Sequence, residues 1–329
     1  MNTFLFALNA IMPIVLLIAL GYLLKKTGLF TEEFLNVGNS FSFRVLIPAM
    51  LFCNIYDIED LGEINVKAVV FSVGAIIFAF FIGCALSVPY TKDNRERGAL
   101  VQSSFRSNNA VIGVPLATSL FGAEGAAAAS VLSAFTIPLF NVLAVVALTV
   151  FDGDGKGKKI NVKKLLLGIV TNPLIISVLA GLAVLGVRMI FADTGITFRL
   201  KDIPFLYDAL KKVALCGTPV PLIILGGKFE FKAVGKRIKS IIYGVFMRII
   251  LVPVMILGAA YLFIPDIGGA YFAAYVAAFS TPAAVSSAIM AKEMNSDGEL
   301  AGQIVVFSTV ISVLTLFLTI VFFRSVGIF

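Results

Sequence analysis

The sequence predicts an all-α polytopic membrane protein whose ten transmembrane helices form two inverted five-helix repeats, with the fourth and ninth helices broken. Three observations carry this expectation. Of the 329 residues, 59% are hydrophobic and 14% charged, with a mean hydropathy of +1.01, whereas soluble domains sit near half apolar and roughly a quarter charged. Ten apolar stretches are each long enough to cross a hydrocarbon core of ~30 Å as a helix. One long polar break, FDGDGKGKKINVKK at 151–164, divides them five and five.

The spans fall near 5–24, 35–56, 67–89, 98–121, 126–150, 165–191, 207–227, 240–263, 270–291 and 301–323. The first lacks a basic stretch before its apolar core and is followed by Lys25 and Lys26, so it reads as a span rather than a cleaved signal peptide. The organisation expected is therefore 1–150 as the first repeat, 151–164 as a cytoplasmic linker and 165–329 as the second repeat. The linker's glycines and lysines do not follow the G-x-x-x-x-G-K-[ST] spacing of a phosphate loop.

Charge fixes an orientation. Loops after odd-numbered spans hold 16 Lys and Arg residues, and the opposite side holds 7. By the positive-inside rule the odd loops are cytoplasmic and both termini are extracellular, in the plasma membrane. The acidic run Asp57, Glu59, Asp60 and Glu63 then falls outside. The net charge of +7 accordingly reflects membrane topology, and no nucleic-acid partner is expected.

The chain has no histidine, which removes the commonest metal ligand and the commonest general base. Cys53, Cys84 and Cys216 lie far apart without a C-x-x-C and read as small hydrophobes of packed helices. There is no H-E-x-x-H or G-x-S-x-G, so nothing points to an intramembrane enzyme.

Span one contains PIVLLIALG, Pro13 to Gly21, and span six contains PLIISVLAG, Pro173 to Gly181, with Asn9 and Asn172 just upstream. Span two carries VLIPAMLF around Pro48, and span seven TPVPLIIL around Pro221. An odd number of spans per half inverts the second relative to the first. Inverted repeats are the design of many secondary transporters, whose sites form where discontinuous helices meet near the midplane.

Span four is interrupted by Arg106-Ser107-Asn108-Asn109, followed by Gly113 and Pro115. Asn and Ser compete for backbone hydrogen bonds and favour caps, so the helix is expected to stop and restart. In span nine, Ser280 or Thr281 is expected to cap a new half-helix with Pro282 at its first position. Two half-helix N-termini create positive potential, and Arg106 adds a full charge. All 19 carboxylates lie in loops or at span ends, so an anionic substrate is the natural complement of Arg106, the other reading being an arginine near the cytoplasmic mouth that meets carbonyls or lipid headgroups. Arg44 and Arg248, in spans two and eight, either snorkel or neutralise backbone carbonyls at packed interfaces, or contact substrate.

The motifs SFRSNNAVIGVPL (104–116), TPVPLIILGGKF (218–229), RIILVP (248–253) and STPAAVSSAIMAKE (280–293), with the closing VVFSTVIS (305–312), resemble the auxin efflux carrier family, which includes bacterial malonate and malate permeases and the plant PIN carriers. The resemblance covers nearly the whole chain. It implies ten helices in two inverted repeats, a scaffold domain, a transport domain in which helices four and nine cross, and a homodimer. Pro282 matches the proline of the second plant crossover. Ser107 stands where the first crossover proline would be, Asn108 matches a substrate-contacting asparagine, and Arg106 with Asn108 forms the bacterial-type R-x-N pattern. These departures, and the short central linker, imply a bacterial-type organic anion carrier rather than an auxin carrier.

The function expected is secondary-active transport of a small carboxylate by alternating access. Arg106 supplies charge, Asn108, Asn109 and Thr281 donate hydrogen bonds, Ser280 and Pro282 shape the crossover, and Asn172 or Asn9 adds a further contact. No cofactor or resident metal is expected. Coupling stays open between a proton carried on the substrate, sodium held by carbonyls of the broken helices with Ser280, Ser286 or Ser287, and a uniporter or exchanger that needs neither. The alternative is an anion-binding channel or sensor without active transport, although a channel is expected to show a polar stripe along several helices, and only the crossover is polar.

Overall fold

The computed structural model describes residues 3–58, 64–152, 162–190 and 199–328. These are overwhelmingly helical. The helices in chain order are α1 (Thr3–Lys26), α2 (Glu32–Phe41), α3 (Ile47–Tyr56), α4 (Val66–Tyr90), α5 (Asn94–Phe105), α6 (Val114–Val150), α7 (Val162–Val170), α8 (Pro173–Ile190), α9 (Pro204–Leu215), α10 (Pro219–Gly227), α11 (Phe231–Phe246), α12 (Val252–Phe263), α13 (Gly269–Ser280), α14 (Val285–Glu293) and α15 (Gly298–Ser325). Glu59, Asp60 and Glu63 of the acidic run, and 153–161 of the linker, lie outside the described residues.

Six helical stretches among the described residues are long and apolar enough to cross a membrane: Val66–Tyr90, Val111–Val150, Pro173–Ile190, Pro204–Gly227, Val234–Phe263 and Gly298–Ser325. Their outer faces carry large apolar side chains in the open, such as Ile190, Phe205, Val254 and Phe263. In water such faces would have to find a partner, and in hydrocarbon they are at home. The chain is a multi-pass membrane protein.

Helix starts follow from short polar side chains at the loop edges. Thr31 accepts from Phe34 N–H, Asn65 from Ala68 N–H, Asp93 from Arg95 N–H and Asp297 from Leu300 N–H, each satisfying an amide that a helix N-terminus would leave bare. Interruptions within helices follow from proline. The π turns Ser42–Leu46, Asn109–Gly113 and Met247–Leu251 each end two residues before a proline, Pro48, Pro115 and Pro253. Proline lacks an N–H, and its ring collides with the carbonyl four residues back. That carbonyl belongs to Arg44, Val111 or Ile249, the third residue of each π turn. A widened turn relieves the collision without ending the helix.

At spans four, five and six the structure departs from the sequence expectation. The sixth is not one helix over 165–191. It breaks between α7 and α8, where Asn172 Oδ1 accepts the N–H of Leu174 and caps α8 ahead of Pro173. Spans four and five join without a loop. Phe121 and Gly122 leave helical geometry, and Gly122 takes φ +56°, so that α6 doubles back on a single kink.

Packing pairs α1 with α10 and α3 with α8. Glycines permit both contacts. A Cβ on Gly21 would sit 1.9 Å from Ile223 O and one on Gly226 1.9 Å from Ile18 O, so α1 and α10 touch backbone to backbone. Gly181 of α8 packs less tightly on α3, where a Cβ would sit 3.0 Å from Ile55 Cβ. α4, α5, α6, α11, α13, α14 and α15 form a second packed group, which meets the first where α15 lies on α1 and α14 on α10.

Charges collect at two ends. At one, Lys25 pairs with Glu32, Arg237 with Asp297, and Asn39 and Ser40 both donate to Glu293. At the other, Asp57 accepts from Tyr207 and pairs with Lys211, while Arg188 donates to Tyr56 O.

Candidate functional site at the crossing of two broken helices

α5 stops at Phe105 because Arg106 is extended, with φ −79° and ψ 105°. The chain becomes helical again at Asn109. α13 stops at Ser280, and Thr281, extended ahead of a proline at φ −68° and ψ 153°, leads through Pro282 and Ala283 to Val285. The two extended segments run antiparallel and form a single β-bridge between Ser107 and Ala283. Asn108 N–H donates to Pro282 O at 2.9 Å, Ala284 N–H to Arg106 O at 3.2 Å, and Ala283 N–H to Ser308 Oγ at 3.2 Å. Irregular backbone at this depth survives only where such partners exist.

The expected caps are therefore displaced. Neither Ser280 nor Thr281 caps the second half-helix, whose N-cap position is Ala284 with no side-chain bond. Pro282 is not its first residue but part of the bridge. The bridge makes this shift necessary, since 281–284 must stay extended to pair with 106–108.

The first half-helix, α5, is twelve residues long, which carries the chain about 18 Å inward, roughly half of a ~30 Å core. There the C-terminal ends of α5 and α13 meet, beside the starts of α6 and α14. Arg248, wholly buried, bonds to the C-terminal ends. Its Nε donates to Thr281 O at 3.0 Å, Nη1 to Phe105 O at 3.0 Å and Ser104 O at 3.3 Å, and Nη2 to Phe279 O at 2.6 Å.

Arg106 faces the other way. Its side chain is buried at 3% exposure, and Nη2 donates to Asn141 Oδ1 at 2.7 Å while Nη1 lies 2.9 Å from Met290 Sδ. Asn141 is itself oriented by donation from Nδ2 to Ile137 O at 2.8 Å. With its amide turned over, Gln102 accepts from Arg106 Nη1 at 3.0 Å and donates to Ser287 O at 3.3 Å. All these partners are neutral. Among the described residues no carboxylate pairs with Arg106, and no cluster of His, Cys, Asp and Glu fit for a metal occurs.

Arg106, Ser107, Asn108, Asn109, Asn141 and Ser286 line a cleft whose opposite wall is Met50, Leu51, Gly217 and Thr218, with Ile137 and Phe140 at its side. Its free volume is about 40 Å³, room for a few waters at ~10–15 Å³ each. Asn109 donates to Ser133 Oγ at 3.1 Å. Its Oδ1 fills the space that a Cβ on Gly113 would take, at 1.9 Å. Asn108 Nδ2 and the hydroxyls of Ser107, Ser280 and Ser287 are buried without a hydrogen-bond partner. Buried donors left open are costly, about 1–3 kcal/mol each, and at Ser107 and Asn108, which line the cleft, they mark places for a ligand or water.

Of the residues singled out in the sequence, Arg106, Asn108 and Asn109 share the cleft. Ser280, Thr281 and Pro282 lie in the crossing behind it; Thr281 Oγ1 turns back to Ala277 O at 3.1 Å. Asn172 does not join them. Its oxygen caps α8 and its nitrogen lies 3.8 Å from Met294 Sδ, beyond the end of α14. Asn9 and Arg44 are exposed and line no part of the cleft. Asn141, Gln102 and Met290, which hold Arg106, were not anticipated. A lone Asn in the apolar run of span five was the available signal, since intramembrane polar side chains seek partners.

The arrangement offers fixed positive charge, open amide and hydroxyl groups, and backbone amides at two helix starts. A protein family described as membrane transport protein matches residues 6–320 of this chain. An uncharacterized transporter of Methanothermobacter thermautotrophicus is 22% identical over 317 residues, covering 94% of this chain and 95% of the relative. An uncharacterized transporter of Methanocaldococcus jannaschii is 24% identical over 254 residues, covering 74% and 73%. The interrupted, crossing helices thus sit in a chain that belongs, over nearly its whole length, to the auxin efflux carrier family of transmembrane transporters.

Proposed function

We propose that the protein is a secondary-active transporter of small organic anions, carboxylates above all, and that the substrate binds in the cleft at the crossing. One observation carries this reading: Arg106 is buried at the crossing of the broken helices, held by the neutral Asn141 and Gln102, with its charge unanswered by any carboxylate among the described residues. A buried charge without a counter-ion is expensive, and a substrate carboxylate supplies the counter-ion each cycle. Asn108 Nδ2 and the amides opening α6 and α14 are the further donors.

The place of the cleft supports alternating access. One wall is the crossing; the other is Met50 and Thr218, themselves in contact at 3.3 Å, on the body built from α1–α3 and α8–α10. Sliding one body past the other exposes the same site to either side. Ten spans in two inverted repeats are the design this implies. Its support is the exchanged packing, in which Gly21 seats the first span on the seventh and Gly181 seats the sixth on the second. The two glycines close the matched segments Pro13–Gly21 and Pro173–Gly181. The Lys25, Lys228, Arg237 and Lys292 end is cytoplasmic, which leaves both termini outside the plasma membrane.

The test is uptake of labelled malate into proteoliposomes by the native protein and by Arg106→Ala. Hydrogen bonds to a charged group contribute about 1.5–3 kcal/mol, so affinity should fall roughly 10- to 100-fold. Saturable uptake unaffected by the substitution would remove the anion site from Arg106, and flux that never saturates would mark a channel.

A further inference from the structure

We propose that Arg248 is the resident cation of the crossing: its guanidinium fills the carbonyl cage in which a sodium-coupled carrier of this design would hold Na⁺, and transport runs without sodium. The inference rests on reading the crossing as the substrate site.

Broken helices in a membrane leave carbonyls without amide partners. Hard cations take oxygen ligands, and the C-terminal ends of half-helices with their unwound carbonyls are where coupling ions bind. In this protein six of those oxygens are occupied. Ser104 O and Phe105 O at the end of α5, with Phe279 O and Thr281 O at the end of α13, all accept from Arg248. Arg106 O and Pro282 O accept from Ala284 N–H and Asn108 N–H across the bridge. The hydroxyls of Ser280 and Ser287 stay open, but they are deprived of the carbonyls that would complete a cation cage with them.

Charge gives the same answer. Each helix C-terminus carries roughly −0.5 of an elementary charge. Two meet here, and one guanidinium spans and balances the pair. A transported sodium ion would be a cation in excess beside both Arg248 and Arg106. All three guanidinium nitrogens are used, and the planar fork spans both helix ends. Arg248 therefore ties α5 to α13 as one piece while remaining a positioning residue that does not touch substrate.

Thermal unfolding of the purified protein in sodium, potassium and choline chloride at equal ionic strength tests this without any substrate. Equal midpoints are expected for the native chain. Arg248→Ala should unfold at lower temperature and regain part of the loss with low-millimolar guanidinium or sodium, additions that leave the native midpoint unchanged. Should that variant fail to fold, Arg248→Lys keeps the charge with fewer directed donors and should also unfold below the native protein. In proteoliposomes, replacing sodium with choline should change native uptake less than about twofold, against the roughly 5- to 150-fold typical of coupled ligands. A sodium-specific rise in the native midpoint, sodium-dependent uptake, or an Arg248 variant as stable as the native chain would overturn the proposal. Absence of carboxylate uptake under every condition would instead count against the substrate assignment and leave the thermal result to judge Arg248.

Discussion

Ser107 and Ala283 form a single antiparallel β-bridge in a chain that is otherwise helical among its described residues. That one pairing divides the crossing by charge. Behind it lie two helix C-termini, both bound by Arg248. In front lie the starts of α6 and α14, with Arg106 beside them. The negative helix ends are thus neutralised within the protein, and the positive ends face the cleft, which is the polarity an anion site requires.

Asn141 governs how well Arg106 presents its charge. The asparagine accepts from Nη2 at 2.7 Å and is anchored through Ile137 O. Asn141→Leu keeps the volume near and removes the acceptor, so the guanidinium loses its fixed direction. The KM for carboxylate uptake should rise about tenfold or more, the equivalent of one hydrogen bond to a charge at ~1.5–3 kcal/mol, with maximal velocity retained. Asn141→Asp should abolish uptake at all substrate concentrations by giving Arg106 an internal counter-ion. Kinetics of both variants in proteoliposomes decide the matter; an unchanged KM in both rules the orienting role out.

The interruption of spans four and nine was legible because Asn, Ser, Gly and Pro at mid-span act through local backbone chemistry, and Arg106, Asn108 and Asn109 fell within it. What stayed hidden is tertiary. The proline after Thr281 keeps that residue extended, but nothing local moves the start of α14 on to Ala284; the bonds of Pro282 O and Ala284 N–H to 106–108 do that. Asn172 was expected to add a lesser contact to the site, yet its oxygen caps its own helix and its nitrogen faces Met294. Asn141 and Gln102 lie 35 and 4 residues from Arg106 in sequence, and no short-range pattern joins Asn141 to it. The π turns were half legible: each proline announces a disturbance, while its form depends on whether packing holds the helix straight.

The glycines at the α1–α10 contact should be intolerant of any side chain. A Cβ on Gly21 or Gly226 would lie 1.9 Å from a backbone oxygen, whereas Gly186 and Gly258 have nothing within 4 Å. Gly21→Ala and Gly226→Ala should each lower the thermal midpoint, with overpacking costing about 1–3 kcal/mol. Gly186→Ala and Gly258→Ala should leave it level or raise it, as Ala is the better helix former by roughly 0.5–1 kcal/mol. Four thermal melts compare them directly. Equal effects at all four sites would mean that the backbone contact does not hold the two helices.

Lys228, at the end of α10, donates to Asn36 Oδ1 and lines a cleft with Lys25, Glu32 and Lys292. Burial, and then Lys292, pull its amine below the ordinary 10.5, against the smaller opposing pull of Glu293 and Glu32. The folded chain therefore holds this proton less firmly than the unfolded chain. Stability is reduced while the amine is charged and recovers as pH rises from the depressed value towards 10.5. Lys292→Gln should diminish that alkaline gain, and Lys228→Met should remove it. Thermal midpoints of the three proteins across the alkaline range measure it, and identical slopes would show that Lys228 is not the group responsible.

Glu293 closes the end of the molecule where the odd-numbered loops gather. Its Oε1 accepts from Asn39 Nδ2 and from Ser40 Oγ, both at 2.8 Å, joining α14 of the crossing body to α2. If the crossing body slides against the other during transport, this contact must break in every cycle. In a chain with Cys53, Cys84 and Cys216 replaced by Ala, Asn39→Cys with Glu293→Cys should be cross-linked readily by a short bifunctional thiol reagent, and cross-linking should stop carboxylate uptake. A reducible reagent then allows uptake to return on reduction. Glu293→Ala alone should weaken the contact, which as a partly exposed charge-assisted pair amounts to about 1 kcal/mol, and change the initial uptake rate severalfold. Full uptake in the cross-linked double variant would mean that the two bodies stay together at this end, and relative sliding could not be the means by which the site changes sides.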